Sequence, residues 1–233
     1  MKQRQYKAIG RILLLVLLLA LLCLVWLGLP ALGLSGLSER LGFAFDSGRQ
    51  DEDWRLILVN DSHRLPRNYH VELTLLDNGE QVDERIYPDL QAMFDAARAD
   101  GLQLFVAAGY RTREQQRELL RERTEAYREE GCSRSEARRL ARQWVARPGT
   151  SEHQLGIAVD VNADLSVSTS DEVYAWLQEN SYKYGFINRY PPDKTEITGI
   201  VNEPWHYRYV GCEAAAEITS QGLCLEEYLR QRG

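Results

Sequence analysis

Two short segments of this 233-residue chain carry residues whose types and spacing could do hydrolytic chemistry. They are Ser151-Glu-His-Gln-Leu-Gly-Ile-Ala-Val-Asp160 and Glu203-Pro-Trp-His-Tyr-Arg-Tyr-Val-Gly211. Between them they hold His153 and His206, two of the four histidines, together with Asp160 and Glu203. Metal-assisted hydrolysis needs a set of this kind: N/O ligands that leave one position open, and a base that takes a proton from water. Neutral imidazoles and one carboxylate leave a zinc site positive, the condition under which bound water becomes acidic near neutral pH. A thiolate-rich site would quench that acidity, and none of the four cysteines lies in a C-x-x-C pair, so a cysteine metal site is not expected. Glu203 is the only carboxylate of the second segment and stands three residues from His206.

The spacing constrains the backbone. His153 and Asp160 are seven residues apart, so on one continuous strand they would face opposite sides of a sheet. Glu203 and His206, three apart, meet the same conflict. Each segment must therefore bend, and Gly156 and Pro204 are the places for it. His153 is expected in a loop leading into a strand Ile157–Val161, and His206 at the start of a strand Trp205–Tyr209.

Both segments resemble the VanY-type D-alanyl-D-alanine carboxypeptidases, zinc enzymes within a wider group that includes lysostaphin-like and hedgehog-like domains. That family shows S-x-H-x-x-G-x-A-x-D followed by E-x-W-H-x-R-Y-V-G, and both patterns stand here without a gap. Further segments resemble the family in order: Leu58-Val-Asn60 with Leu65-Pro66, Gly109-Tyr-Arg-Thr-Arg-Glu-Gln-Gln116, Gly185-Phe-Ile-Asn-Arg-Tyr-Pro191 and Leu223-Cys-Leu-Glu-Glu-Tyr-Leu229. The likeness covers roughly residues 54–230, with Thr112 where the family usually has Ser. Carried over by position, it implies His153, Asp160 and His206 as zinc ligands, Glu203 as catalytic base, and Arg111 as a group that binds substrate or stabilises the oxyanion. It also implies a D,D-carboxypeptidase that removes the terminal residue of peptidoglycan stem peptides. The alternatives are L,D-carboxypeptidase or endopeptidase action on the same polymer, and a zinc-stabilised cell-wall-binding module without hydrolysis. Retention of Glu203 separates an enzyme from a binding module. Ser151, Gln116 and Trp205 are further candidates for substrate contact, and Gln116 could instead orient Arg111.

Residues 1–11 carry four bases and no acid, and Ile12–Leu34 is an uncharged, leucine-rich run. About 20 apolar residues cross a bilayer core, so 12–34 is expected to be an uncleaved transmembrane anchor, with 1–11 cytoplasmic. A cleaved signal peptide is the rival reading. A polar linker spans 35–53, and 54–233 is the expected extracytoplasmic catalytic domain. All 34 acids but only 24 of the 28 bases lie beyond residue 37, a balance of −10 that disfavours nucleic acid as a partner.

The elements that must position the motifs read as α+β: helices around a small, mostly antiparallel sheet, which the resemblance makes hedgehog/D,D-peptidase-like. Val71–Leu76 and Gln81–Ile86 flank Asp77-Asn-Gly79 as a hairpin. Pro88–Asp100 is a helix with Leu90, Met93, Phe94 and Ala97 as its apolar stripe. Leu102, Leu104 and Val106 alternate in a strand that delivers Arg111 at its end. Thr112–Glu130 is a charged helix with a solvated face, and Ser135–Ala146 continues helical before Arg147-Pro-Gly149. Asp171 is the expected cap of a helix Glu172–Asn180, and helices at Glu213–Ser220 and Leu225–Arg230 finish the chain. Trp205, Tyr207, Tyr209 and Tyr190 either line a groove or pack in the core. Cys212 and Cys224 are close enough in sequence to pair.

Overall fold

The computed structural model describes residues 54–232. The expected basic segment 1–11, anchor 12–34 and linker 35–53 lie outside the described residues. Among those described, no helix is long and apolar enough to cross a membrane.

A hairpin of β1 (Leu73–Leu75) and β2 (Gln81–Asp83) leads into α1 (Tyr87–Ala99) and β3 (Leu104–Ala108). Two charged helices follow, α2 (Arg113–Glu129) and α3 (Arg134–Ala141), then β4 (Ala158–Ala163), α4 (Ser170–Asn180) and β5 (Phe186–Asn188). The one-turn α5 (Thr195–Thr198), β6 (His206–Tyr209), α6 (Cys212–Gln221) and α7 (Leu225–Arg232) complete the described chain. Four strands form one sheet in the order β3-β4-β6-β5 with every neighbour antiparallel, which is the α+β class expected.

Local chemistry sets the element ends. Thr112 caps α2 through a reciprocal box with Gln115. The cap of α4 is Thr169 and not Asp171: Thr169 Oγ1 accepts from the Glu172 N–H, and the Glu172 carboxylate accepts from the Thr169 N–H. That box satisfies two donors at once, whereas Asp171, two residues on and within the first turn, adds only favourable charge. The hairpin strands are shorter than expected because the Asp83 carboxylate leaves the ladder to cap a 3-10 turn at Glu84–Ile86. Helix α3 stops at Ala141, short of Ala146, and the chain goes on in tighter turns, with the Gln143 and Trp144 N–H groups reaching back three residues to the Leu140 and Ala141 carbonyls. Cys132, Cys212 and Cys224 are all unpaired, so no Cys212–Cys224 bridge forms.

The sheet has two unlike faces. Val159, Val161 and Ala163 of β4, with Tyr207 and Tyr209 of β6, pack in the main core against Met93 and Ala97 of α1 and Val173 and Leu177 of α4. Each large apolar side chain removed from water there contributes about 1.5–3 kcal/mol. The intervening residues Asp160, His206 and Arg208 belong to the opposite, polar face. Tyr207 and Tyr209 are thus core residues, while Trp205, in the turn before β6, lines a cleft.

Behind that polar face lies a buried ionic cluster. Glu152, on a 3-10 turn at Glu152–Leu155, receives Arg189 Nε at 2.8 Å and Arg208 Nη1 at 2.7 Å on the same oxygen. Arg189 also grips Glu226 of α7 with both terminal nitrogens, at 2.9 and 2.6 Å. Arg208 Nη2 donates to the Arg55 and Ile57 carbonyls, which ties the first described residues to the sheet. Glu152 is 1 % exposed and both arginines 0 %, so each charge depends wholly on its partners. Burial opposes ionisation of Glu152, but the two guanidiniums overcome it and hold the carboxyl below the usual carboxylate range. Its contribution to stability is therefore present above the ordinary carboxylate pKa and lost as pH falls towards the depressed folded value.

Glu152→Ala leaves two buried guanidiniums without their shared anion and is expected to destabilise the fold by about 3–5 kcal/mol, read as a lowered denaturant midpoint. Glu118→Ala, which breaks an exposed pair with Arg121, should leave that midpoint unchanged.

Candidate metal centre

The register of the sheet places Asp160 of β4 directly opposite His206 of β6, so their side chains stand together on the polar face. His153 reaches them from the 3-10 turn. The bend expected at Gly156 is real: its φ is +77°, and a Cβ there would sit 3.0 Å from Val71 Cγ2 and 3.2 Å from the Asp83 nitrogen. The bend expected at Pro204 is a turn closed by the His206 N–H on the Glu203 carbonyl. His153 therefore lies in a helical turn and not an open loop, and its strand begins at Ala158.

Asp160 Oδ1 is 2.9 Å from His206 Nδ1 and 3.3 Å from His153 Nε2. Ligand bonds of 2.0–2.1 Å in a tetrahedral zinc site give edges of about 3.3 Å, so Asp160 Oδ1 stands near that spacing from both imidazole nitrogens, and the three donor atoms all lie within 4.8 Å of one another. One outer ring nitrogen is also committed. His153 Nδ1 donates to the Gly109 carbonyl at 2.7 Å, which fixes the tautomer and leaves Nε2 as the ligating lone pair. Gly109 can hold that position only as glycine, because a Cβ would lie 2.2 Å from the Gln81 carbonyl oxygen. His206 Nε2 faces Glu152 Oε2 at 3.8 Å, and neither atom has a hydrogen-bond partner.

The electrostatics favour a cation. Burial and the Arg111 charge push His153 down to about 4, so it is neutral and ready to ligate. Burial opposes ionisation of Asp160, but the two histidines hold it well below the usual range. His206 is buried too, yet Asp160 and Glu152 push it up to about 9, so without a metal it carries a proton between two carboxylates. Burial pushes Glu203 up to about 7. Its carboxylate lies 3.7 Å from His206 Nδ1, and its backbone is held by Tyr190 and Asn188.

One cleft of about 220 Å³ is lined by all eight residues singled out from the sequence: Arg111, Gln116, Ser151, His153, Asp160, Glu203, Trp205 and His206. A register shift in β3 between Val106 and Ala108 swings the chain so that Arg111 arrives at the strand end, where Nη2 donates to Asp160 Oδ2 at 2.7 Å. Gln116 does not bond Arg111. Its Nε2 donates to the Ala146 carbonyl at 2.8 Å, and its buried Oε1 has no partner. Tyr190, Arg123 and Trp144 join the lining, whereas His63 and His70 are exposed and stand outside it. Glu152, Arg189 and Arg208 were not picked out from the sequence as site residues. The available signal was an arginine between two core tyrosines, Tyr207-Arg-Tyr209.

Residues 79–212 match the model of the VanY family, described as D-alanyl-D-alanine carboxypeptidase. A D-alanyl-D-alanine carboxypeptidase of Enterococcus faecalis is 61 % identical over 179 residues, covering 77 % of this chain and 67 % of the relative. The putative carboxypeptidase YodJ of Bacillus subtilis is 36 % identical over 192 residues, covering 76 % and 67 %. Two solved structures share the fold closely. A variant of the vancomycin-resistance D,D-pentapeptidase VanY in complex with Zn(II) is 62 % identical, with a TM-score of 0.75 over 76 % of this chain and 99 % of that one. VanYB in complex with D-alanine-D-alanine is 60 % identical, with a TM-score of 0.76 over 77 % and 99 %. On its sequence, its fold and the arrangement of its cleft, the chain belongs to the VanY D-alanyl-D-alanine carboxypeptidase family.

Proposed function

We propose that this protein is a zinc-dependent D-alanyl-D-alanine carboxypeptidase that hydrolyses the C-terminal residue of peptidoglycan stem peptides. The observation that carries the reading is the meeting of His153, Asp160 and His206, their donor atoms within 4.8 Å of one another, with a desolvated carboxylate, Glu203, at their edge. Relatives of known chemistry support it, one in complex with zinc and one with D-alanine-D-alanine. An L,D-carboxypeptidase, LdcB, shares the fold at 34 % identity and a TM-score of 0.62, a weaker likeness than that of the D,D-pentapeptidase VanY.

His153 Nε2, Asp160 Oδ1 and His206 Nδ1 would hold the ion. When bound, Zn²⁺ supplies Lewis acidity toward a water and the scissile carbonyl. Glu203, whose pKa near 7 suits a proton acceptor at neutral pH, takes the proton of the attacking water and returns it to the leaving amine. Arg111 spends one nitrogen on Asp160, and its remaining donors serve the substrate's terminal carboxylate or the developing oxyanion. The unpartnered Gln116 Oε1 accepts from a substrate N–H, and Ser151 and Trp205 line the same cleft. Glu152 keeps the His206 ring turned so that Nδ1 presents to the site. The basic segment 1–11 and the apolar run 12–34 support a protein held on the outer side of the cytoplasmic membrane.

His206→Ala and Asp160→Ala should each lose zinc by metal analysis, because three protein ligands leave no redundancy. Zinc uptake by the unaltered chain near pH 7.5 should release about one proton from His206, measurable by calorimetry in buffers of different ionisation enthalpy. Glu203→Ala should keep zinc and lose hydrolysis by roughly 10²–10⁴-fold. Near-normal activity in that variant would exclude Glu203 as the base. In Arg111→Ala, a raised KM alone marks positioning and a lowered kcat marks oxyanion stabilisation. N-terminal sequencing of the protein from cells should find the segment 1–34 intact, and a chain beginning near Ser35 would mean a cleaved signal.

A further inference from the structure

The metal cleft has a floor and a rim. The buried ligands His153 and His206 form the floor. Gln116, Leu119 and Arg123 stand at i, i+3 and i+7 on α2, so one face of that helix lines the cleft. Gln116 is buried at one end of this row and Arg123 is exposed at the other, about 10 Å further along the helix axis at 1.5 Å per residue. Trp144, from the turns after α3, is 36 % exposed and lines the same cleft. The Arg123 guanidinium lies 5.9 Å from the centre of the indole, a contact that anchors it at the rim. Arg117 and Arg121 of the same helix are matched by Glu114 and Glu118. Arg123 has neither an ion pair nor a hydrogen bond among the described residues. Its charge reaches into the cleft, where it acts on Glu203. With Leu119 and Ile200 beside Trp144, the rim is an apolar wall that ends in a guanidinium.

We infer that Arg123 and Trp144 form a subsite for the substrate residue just before the D-alanyl-D-alanine unit, selecting an aliphatic side chain that ends in a free carboxylate. The inference rests on the stem-peptide reading above. A carboxypeptidase substrate has a single residue beyond the scissile bond, and one extended residue spans about 3.5 Å. Its terminal carboxylate therefore stays close to the metal, within reach of Arg111, whose Nη2 already sits on Asp160. A group that meets the rim belongs to the chain upstream. The first upstream residue is D-alanine, whose methyl is too short to reach it. The second is thus the first whose side chain can lie along the indole and place an anion on Arg123. Trp144 and Leu119 suit the methylenes of such a chain, and the planar guanidinium takes a carboxylate through two parallel bonds. A carboxamide in that place would keep the apolar contact and lose the charge.

The test uses the full-length Glu203→Ala protein, zinc-loaded in neutral detergent, so that peptide is bound and not consumed. Calorimetry compares three pentapeptides ending in D-alanyl-D-alanine that differ only in the third residue: meso-diaminopimelate, its side-chain carboxamide, and lysine. The free carboxylate is expected to bind roughly 3- to 10-fold more tightly than the carboxamide or lysine, the size of a charged pair at a partly exposed rim. Adding Arg123→Gln should bring the carboxylate-to-carboxamide ratio close to one, and Arg123→Glu should invert it. Arg117→Gln, on the same helix but outside the cleft, should leave the ratio intact. Trp144→Ala should weaken all three peptides alike. Zinc content and unfolding curves confirm that each variant is loaded and folded. Cleavage of the same peptides by the unaltered protein tests the hydrolytic reading separately: the preference without cleavage would support the subsite and remove the enzyme. Equal affinity for carboxylate and carboxamide, or a ratio that survives Arg123→Gln, would overturn the subsite. So would an equal loss on all three peptides in Arg123→Gln, which would put Arg123 on the terminal carboxylate. No binding of any peptide would overturn both readings.

Discussion

The constraint on which the rest of the structure depends is a single buried carboxylate shared by two buried arginines. Glu152 draws Arg189 from the end of β5 and Arg208 from β6 onto one oxygen, and the second oxygen is left facing His206. Three ions removed from water are stable only in this mutual arrangement, so the turn bearing Glu152 cannot shift without isolating a charge. His153 is the next residue on that turn. The cluster thus fixes one metal ligand covalently, through the backbone, and another electrostatically, through Nε2 of His206.

Division of labour between the two sheet faces follows from the same geometry. The alternation of a strand sends Val159 and Val161 into the apolar core and Asp160 away from it. A one-residue slip between β4 and β6 would bury the carboxylate in the core and part it from His206. Packing of the apolar face therefore enforces the register that assembles the polar one. The shift in β3 and the Gly109 contact then align a backbone carbonyl with His153 and a guanidinium with Asp160.

Much of this was legible in the sequence, for physical reasons that differ between residues. The ligands and Glu203 could be read because metal chemistry restricts residue type, and Gly156 because a seven-residue separation demands a bend. The stripe of α1 was legible because helical periodicity is local. Glu152, Arg189, Arg208 and Glu226 were not, since each alone looks like a solvated charge and only tertiary packing brings them together. The cap at Thr169 was missed although Thr-x-x-Glu is present, because Asp171 offers a competing acid two residues on. The early end of α3 was missed because no glycine or proline stands between Ala141 and Ala146 to mark it.

The bonds from Asn60 to Glu226, 166 residues apart, and from Arg189 to that same Glu226 tie distant parts of the described chain into one relay. Arg189 is shared between Glu226 of α7 and Glu152, the residue beside His153, so a helix outside the cleft is joined to the metal centre by two consecutive ion pairs. A change of charge at Glu226 would thus reach the zinc ligands without touching any of them, and metal affinity becomes a property that substitutions in α7 can tune.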